Sequence, residues 1–122
     1  MDAPKSTEPF YSVARRAGDL LFLSGFGPVD KAHNVVGANI EEQTIYTMDA
    51  MKAVLESEGA TFDDAVRVNV FLLDMADRDR FNATYMRYFQ GRMPTRRLIG
   101  AGDMYKGILV EIDCIAYVGK DK

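Results

Sequence analysis

Apolar positions along this chain of 122 residues recur with two periods, strict alternation in some stretches and three-to-four spacing in others. "FYSVARRAGDLLFLSGF", residues 10–26, reads as a hairpin. Its β-capable runs, about 10–16 and 20–24, flank the turn signal Ala17-Gly18-Asp19. "GPVDKAHNVVGAN" then breaks the pattern, and Asn39 opens a helix as a side-chain cap, with Glu42 three positions on, where a capping box wants it. The helix runs to about Glu58 and stops at Gly59. Ile45, Met48, Met51 and Leu55 form its apolar stripe, where methionine fills a core.

"AVRVNVFLLDM" is the next strand, with Val66, Val68, Val70 and Leu72 on one face and Arg67, Asn69, Phe71 and Leu73 on the other. A second helix is predicted from Asp77 to Phe89 on the stripe Phe81, Tyr85 and Tyr88/Phe89, and Gly91 ends it. "TRRLIG" and "ILVEIDCIAYV" supply two further strands. With no repeat, linker or composition shift, the pattern predicts a single α+β domain over residues 10–122, two helices covering one face of a mixed sheet. The Pro-punctuated "MDAPKSTEP", residues 1–9, reads as a flexible N-terminal arm and not as a signal peptide.

The last strand raises a question of burial. Ile108, Val110, Ile112, Cys114, Ala116 and Val118 make one continuous apolar face for the helices. The opposite face, Leu109, Glu111, Asp113, Ile115 and Tyr117, is too apolar for water alone. Burying it against another copy of the chain solves the problem, so homo-oligomerisation is expected. The alternative is a partly exposed edge strand. Under burial, Glu111 is a carboxylate in a partly dry place that must be paired or put to work. Arg96 and Arg97 stand side by side in an otherwise apolar strand and point to opposite faces. An arginine in a half-buried pocket holds a carboxylate ligand with its planar fork. Arg96 and Glu111 thus read equally well as a binding-and-proton-transfer pair or as a salt bridge between subunits.

Composition narrows the classes. A net charge of −3 argues against a non-specific nucleic-acid binder. The only histidine, His33, lies in a loop, and no His/Cys/Asp cluster has metal-ligand spacing, so no metal site is expected. "GAG" at 100–102 is no phosphate loop. A single cysteine, Cys114, leaves no disulfide within the chain, and with no export signal a cytoplasmic location is expected. Cys114 on the helix-facing side reads as a buried, inert thiol. No apolar run approaches the ~20 residues of a membrane span, so no membrane partner is expected.

Several motifs, taken in order and spacing, resemble the RidA/YjgF family of enamine/imine deaminases from Tyr11 to Val118. They are "YS.A" at 11–14, "L.F.SG..P.D" at 20–30, "IEEQT" at 40–44, "KAVLE..GA..DDAV.V.VFL.DM" at 52–75, "FNATY...F" at 81–89, "P.R" at 94–96 and "VEI..IA" at 110–116. The resemblance implies a chorismate-mutase-like domain in a homotrimer, its three sheets forming a central barrel and its active sites lying between subunits. It implies that Arg96, after Pro-x, binds the substrate carboxylate and that Glu111, fifteen residues on, is catalytic. Tyr11, Ser24 and Gly25 fall on pocket positions, with Tyr11 a wall and Ser24 a hydrogen-bonding group, and the N–H near Leu98 adds a bond to the carboxylate. Asn82 reads as a brace for the second helix. Asp113 shares the face of Glu111, so the two carboxylates could exchange roles.

The implied chemistry is hydrolysis of small 2-imino or 2-enamino acids to 2-oxo acids and ammonia with no cofactor. Three departures bear on substrate: Phe26-Gly27-Pro28 replaces a Gln-aliphatic-Pro, Arg97 replaces a small hydroxyl residue, and "GAGDMYKG" replaces the usual segment before the last strand. Phe26 is expected to narrow the pocket and Arg97 to reach a second carboxylate. Dedicated turnover of a dicarboxylate such as a 2-aminomuconate-like compound, and a non-catalytic, holdase-like trimer that binds small carboxylates, are the alternative readings. RNA cleavage, attached to relatives, fits poorly with the acidic balance.

Overall fold

A computed structural model describes residues 10–120, and the N-terminal arm expected at 1–9 lies outside them. Strands β1 (Ala14–Ala17) and β2 (Leu20–Phe26) form the expected hairpin, turning through Gly18 at a φ of 60°. Helix α1 (Ile40–Ser57) leads to β3 (Ala65–Leu72), helix α2 (Arg78–Tyr85), β4 (Thr95–Gly100) and β5 (Val110–Tyr117). The sheet order is β1-β2-β5-β3-β4, so the last strand is threaded into the middle. All neighbours are antiparallel except β3 and β4, which α2 joins as a parallel crossover.

The termini of α1 follow the sequence chemistry. The Asn39 side chain accepts the Glu42 N–H at 2.9 Å, while Glu42 reaches past the cap to accept the Ala38 N–H at 2.8 Å. At the other end Gly59 adopts a φ of +77°, and the N–H groups of Gly59 and Ala60 return to the carbonyls of Glu56 and Leu55. Helix α2 is shorter than its apolar stripe suggested, because Met75–Asp77 and Met86–Tyr88 wind as 3₁₀ turns at either end.

Both helices cover the same face of the sheet, against Val68, Val70, Leu72, Val110, Ile112, Cys114 and Ala116, all buried. Two core assignments need correction. Val66 is 44% exposed, because β3 carries one extra residue between the Ala65–Ala116 and Arg67–Ile115 pairs, which turns Ala65 inward in its place. On α1 the buried stripe is Ile40, Gln43, Thr44, Thr47, Met48, Met51 and Leu55, so polar residues occupy the flank expected of Ile45. Gln43 belongs there because its amide joins two loops, donating to the Gly37 carbonyl and accepting the Leu109 N–H. No helix among the described residues is long and apolar enough to cross a membrane.

Candidate active site

Two of the candidate groups arise from the middle of the sheet. Glu111 and Asp113 lie on the face of β5 away from the helices, each half-buried. Beside them β2 breaks register. Leu23 pairs with Cys114 and Phe26 with Ile112, leaving Ser24 and Gly25 to oppose Asp113 alone. At this bulge the backbone packs closely against the glutamate: a β-carbon on Gly25 would stand 3.0 Å from Glu111 Oε2. Burial raises the Glu111 carboxyl above its ordinary value, and the like charge of Asp113 raises it further. Asp113 is itself held by Asn69, whose Nδ2 donates to it at 2.8 Å.

The bulge also fastens the segment that carries Tyr11. Ser24 donates its N–H to the Val13 carbonyl at 2.9 Å and its Oγ–H to the Ser12 carbonyl at 2.6 Å. Tyr11 itself is 62% exposed. Phe26, expected to narrow the pocket, pairs with buried Ile112 and packs against the hydrophobic core, on the side of the sheet opposite Glu111.

Arg96 belongs to a different place. It sits on edge strand β4 opposite Val68, and its side chain turns toward α2, where Nη1 donates to Asn82 Oδ1 at 2.7 Å. The guanidinium lies 5.0 Å from the Tyr85 ring centroid and 6.0 Å from that of Phe81. Burial pushes the Tyr85 hydroxyl up to about 12, against the opposing pull of Arg96. Asn82 is thus a brace for the arginine and not only for the helix. The "FNATY" motif held that information, since Phe81, Asn82 and Tyr85 leave one short helix toward the same guanidinium.

The backbone of β4 leaves donors at the strand edge beside Arg96. The Ala101 N–H donates to the Leu72 carbonyl on β3 at 2.8 Å. Because alternate residues of a strand direct their N–H groups to opposite sides, those of Arg96 and Leu98 face the free edge of β4.

Arg96 and Glu111 are not on neighbouring strands, because β3 lies between β4 and β5. They also leave opposite faces of the sheet. One chain therefore carries two separate groups of candidate residues: Tyr11, Ser24, Gly25 and Glu111 around the β2 bulge, and Arg96, Asn82 and the Leu98 N–H at the β4 edge. Two surface hollows, of about 330 and 170 Å³, include neither Arg96 nor Glu111. Cys114 is buried, and burial pushes its thiol up to about 12, which makes it unreactive. Among the described residues no three His, Cys, Asp or Glu side chains converge as a metal site would need.

Known proteins of the same kind share the whole arrangement of elements. A RutC family protein of Saccharolobus solfataricus is 44% identical over 115 residues, which is 93% of this chain and 90% of that one. A RutC family protein of Pyrococcus horikoshii is 38% identical over 95% of this chain and 92% of its own. The crystal structure of a Rid family protein of unknown function from Yersinia pestis superposes with a TM-score of 0.84 at 32% identity, covering 89% of this chain and 88% of that one. The family model described as Endoribonuclease L-PSP matches residues 1–118, and the chain therefore belongs to that family, the one that also carries the names YjgF, RutC and RidA.

Proposed function

We propose that the protein hydrolyses reactive 2-imino acids, and the 2-enamino acids that tautomerise to them, in clefts between copies of the chain in a homotrimer whose sheets surround a central barrel. The observation that carries this reading is the bulge at Ser24-Gly25, where only a glycine lets the backbone lie against a glutamate of raised proton affinity. A carboxyl group tuned upward is suited to exchanging a proton near neutral pH. The opposite faces of Arg96 and Glu111 support an assembled site, with the β4 edge of one copy against the β2 bulge of the next. The sheet face that would be covered exposes Leu20, Phe22 and Ile99, three large apolar side chains only partly shielded by the described residues.

In this cleft the substrate carboxylate lies on Arg96. One guanidinium N–H is committed to Asn82, which fixes the plane and leaves the remaining donors for the ligand. The Leu98 N–H completes the anion site at the strand edge. Glu111 takes a proton from a water as its oxygen bonds to the electrophilic imine carbon, giving a carbinolamine. Glu111 returns that proton to the nitrogen, which leaves the carbinolamine neutral, then takes the hydroxyl proton and passes it to the same nitrogen, so that the C–N bond breaks and ammonia leaves as the carbonyl forms. Imine and water become 2-oxo acid and ammonia, with no change of oxidation state and no cofactor. Positioned base catalysis of this kind supplies ~10²–10⁴-fold, enough for a reaction that already proceeds in water.

The test is release of ammonia and 2-oxo acid from imines generated in situ by amino-acid oxidases, with wild type, Arg96→Ala and Glu111→Gln. Turnover lost in both variants supports the deaminase. No acceleration by wild type with any imine sinks it. The braced Arg96 alone supports a second reading, a non-catalytic carboxylate-binding trimer, in which Glu111→Gln leaves 2-oxo acid affinity unchanged and no turnover exists to lose.

A further inference from the structure

Resting on the deaminase reading above, we propose that Arg97 makes the pocket selective for imino acids that carry a second carboxylate. Arg96 and Arg97 are consecutive on the edge strand, their Cα atoms ~3.8 Å apart. Their side chains part: Arg96 turns toward Asn82 and α2, and Arg97 leaves on the face that bears Glu111 and is exposed. There Arg97 stands in register with Asn69, and Asn69 with Asp113. The nearest acid in register is already engaged, because Asp113 accepts the Asn69 amide at 2.8 Å.

Among the described residues the Arg97 side chain has neither a hydrogen bond nor an ion pair. Arg67, two residues before Asn69 on β3, shares that face and is likewise without a counter-ion. Two cations set diagonally across a sheet repel, and an anion between the strands relieves them. A guanidinium fork is matched to a carboxylate. A substrate held by one carboxylate at Arg96 and the Leu98 N–H directs its side chain across the strand edge, and a terminal carboxylate on a short side chain meets Arg97 there. A neutral aliphatic side chain would leave this charge unanswered.

The experiment compares imines generated from aspartate and glutamate with those from alanine and leucine, for wild type, Arg97→Gln and Arg97→Lys. The same three proteins are titrated calorimetrically with 2-oxoglutarate and with 2-oxobutyrate, and their assembly mass is measured by light scattering. Wild type is expected to favour the dicarboxylates by about tenfold or more in kcat/KM, the size of one charge-assisted contact. Arg97→Gln brings that ratio to within about twofold of one, and Arg97→Lys keeps part of it. An unchanged ratio in Arg97→Gln overturns the inference. If the assembly dissociates in that variant while the ratio holds, Arg97 belongs to a contact between copies, which overturns it equally. If wild type turns over no imine yet binds 2-oxoglutarate more tightly in an Arg97-dependent way, the deaminase reading fails and the selectivity of Arg97 stands. Absence of both turnover and binding overturns both.

Discussion

A β-carbon on Gly25 would stand 3.0 Å from Oε2 of Glu111, closer than side chains tolerate without movement. The contact ties the bulge in β2 to the one half-buried glutamate of β5, so the glycine is required by a neighbour's carboxylate and not by its own backbone. Gly25→Ala displaces the carboxyl group while touching little of the core. We expect kcat/KM on imino acids to fall by about 10–100-fold, since small misplacements of a reacting group cost this much, with the melting temperature nearly unchanged. Equal losses of activity and stability would instead assign Gly25 to folding alone.

Asn82 acts through Arg96. Removing its 2.7 Å contact in Asn82→Ala leaves the guanidinium free to rotate over the Tyr85 ring. A hydrogen bond to a charged group is worth ~1.5–3 kcal/mol, so KM for imino acids is expected to rise about tenfold with kcat changed less. A kcat loss at constant KM would show that Asn82 does not position the carboxylate-binding arginine.

Two of the three polar residues on the buried flank of α1 have opposite consequences. Thr44 is fully buried and its Oγ1 has no hydrogen-bond partner among the described residues, whereas Gln43 satisfies the Gly37 carbonyl and the Leu109 N–H together. Thr44→Val removes an unpaired hydroxyl at constant shape and is expected to stabilise by ~1 kcal/mol, about 4 °C in Tm. Gln43→Leu strands two backbone groups and is expected to destabilise by ~2 kcal/mol. Thermal unfolding of both variants checks the contrast, and a destabilised Thr44→Val would show that the hydroxyl finds a partner.

Periodicity located every strand and both helices, because alternation and helical spacing are local properties. The caps at Asn39 and Gly59 were legible for the same reason. The insertion of β5 between β2 and β3 was not, since nothing within eight residues of a strand records which neighbour it will choose. That single long-range fact separates Arg96 from Glu111 within the chain. Bulges were equally silent: Val66 fits the alternation perfectly and is nevertheless outside the core. Arg96 and Glu111 stood out as charges in apolar strands, but Asn82 read as an ordinary helix residue because its partner is fourteen positions away.

Glu111 makes the stability of the fold depend on pH with a definite sign. Its carboxyl is raised in the folded chain above the ordinary 4.5, first by burial and then by Asp113. The folded state therefore holds this proton more tightly than the unfolded one, and stability falls as pH rises through the interval between the two values. Above that interval the ionised carboxylate is a standing cost. Glu111→Gln removes it, so the variant is expected to melt above wild type at pH 7, with the gap closing as pH drops below the ordinary value. Melting curves of both proteins from acid to neutral pH give the answer, and a gap that widens on acidification would contradict the raised carboxyl.

The proposed division of the site between copies predicts complementation. Arg96→Ala keeps an intact Glu111 half-site, and Glu111→Gln keeps an intact Arg96 half-site. Each homogeneous assembly is inactive if both residues serve one reaction. When the two variants are unfolded together in equal amounts and refolded, mixed assemblies place the intact β4 edge of one copy against the intact β2 bulge of another. In a cyclic assembly formed at random, roughly a quarter of the interfaces pair intact halves, so roughly a quarter of wild-type turnover should return. Refolding each variant alone, or mixing them without unfolding, should return none. A site built from Arg96 and Glu111 of the same chain gives no recovery under any mixing, because every chain then carries one defect. Recovered turnover in the mixture thus separates a cleft shared by two copies from a pocket that a single chain closes on itself.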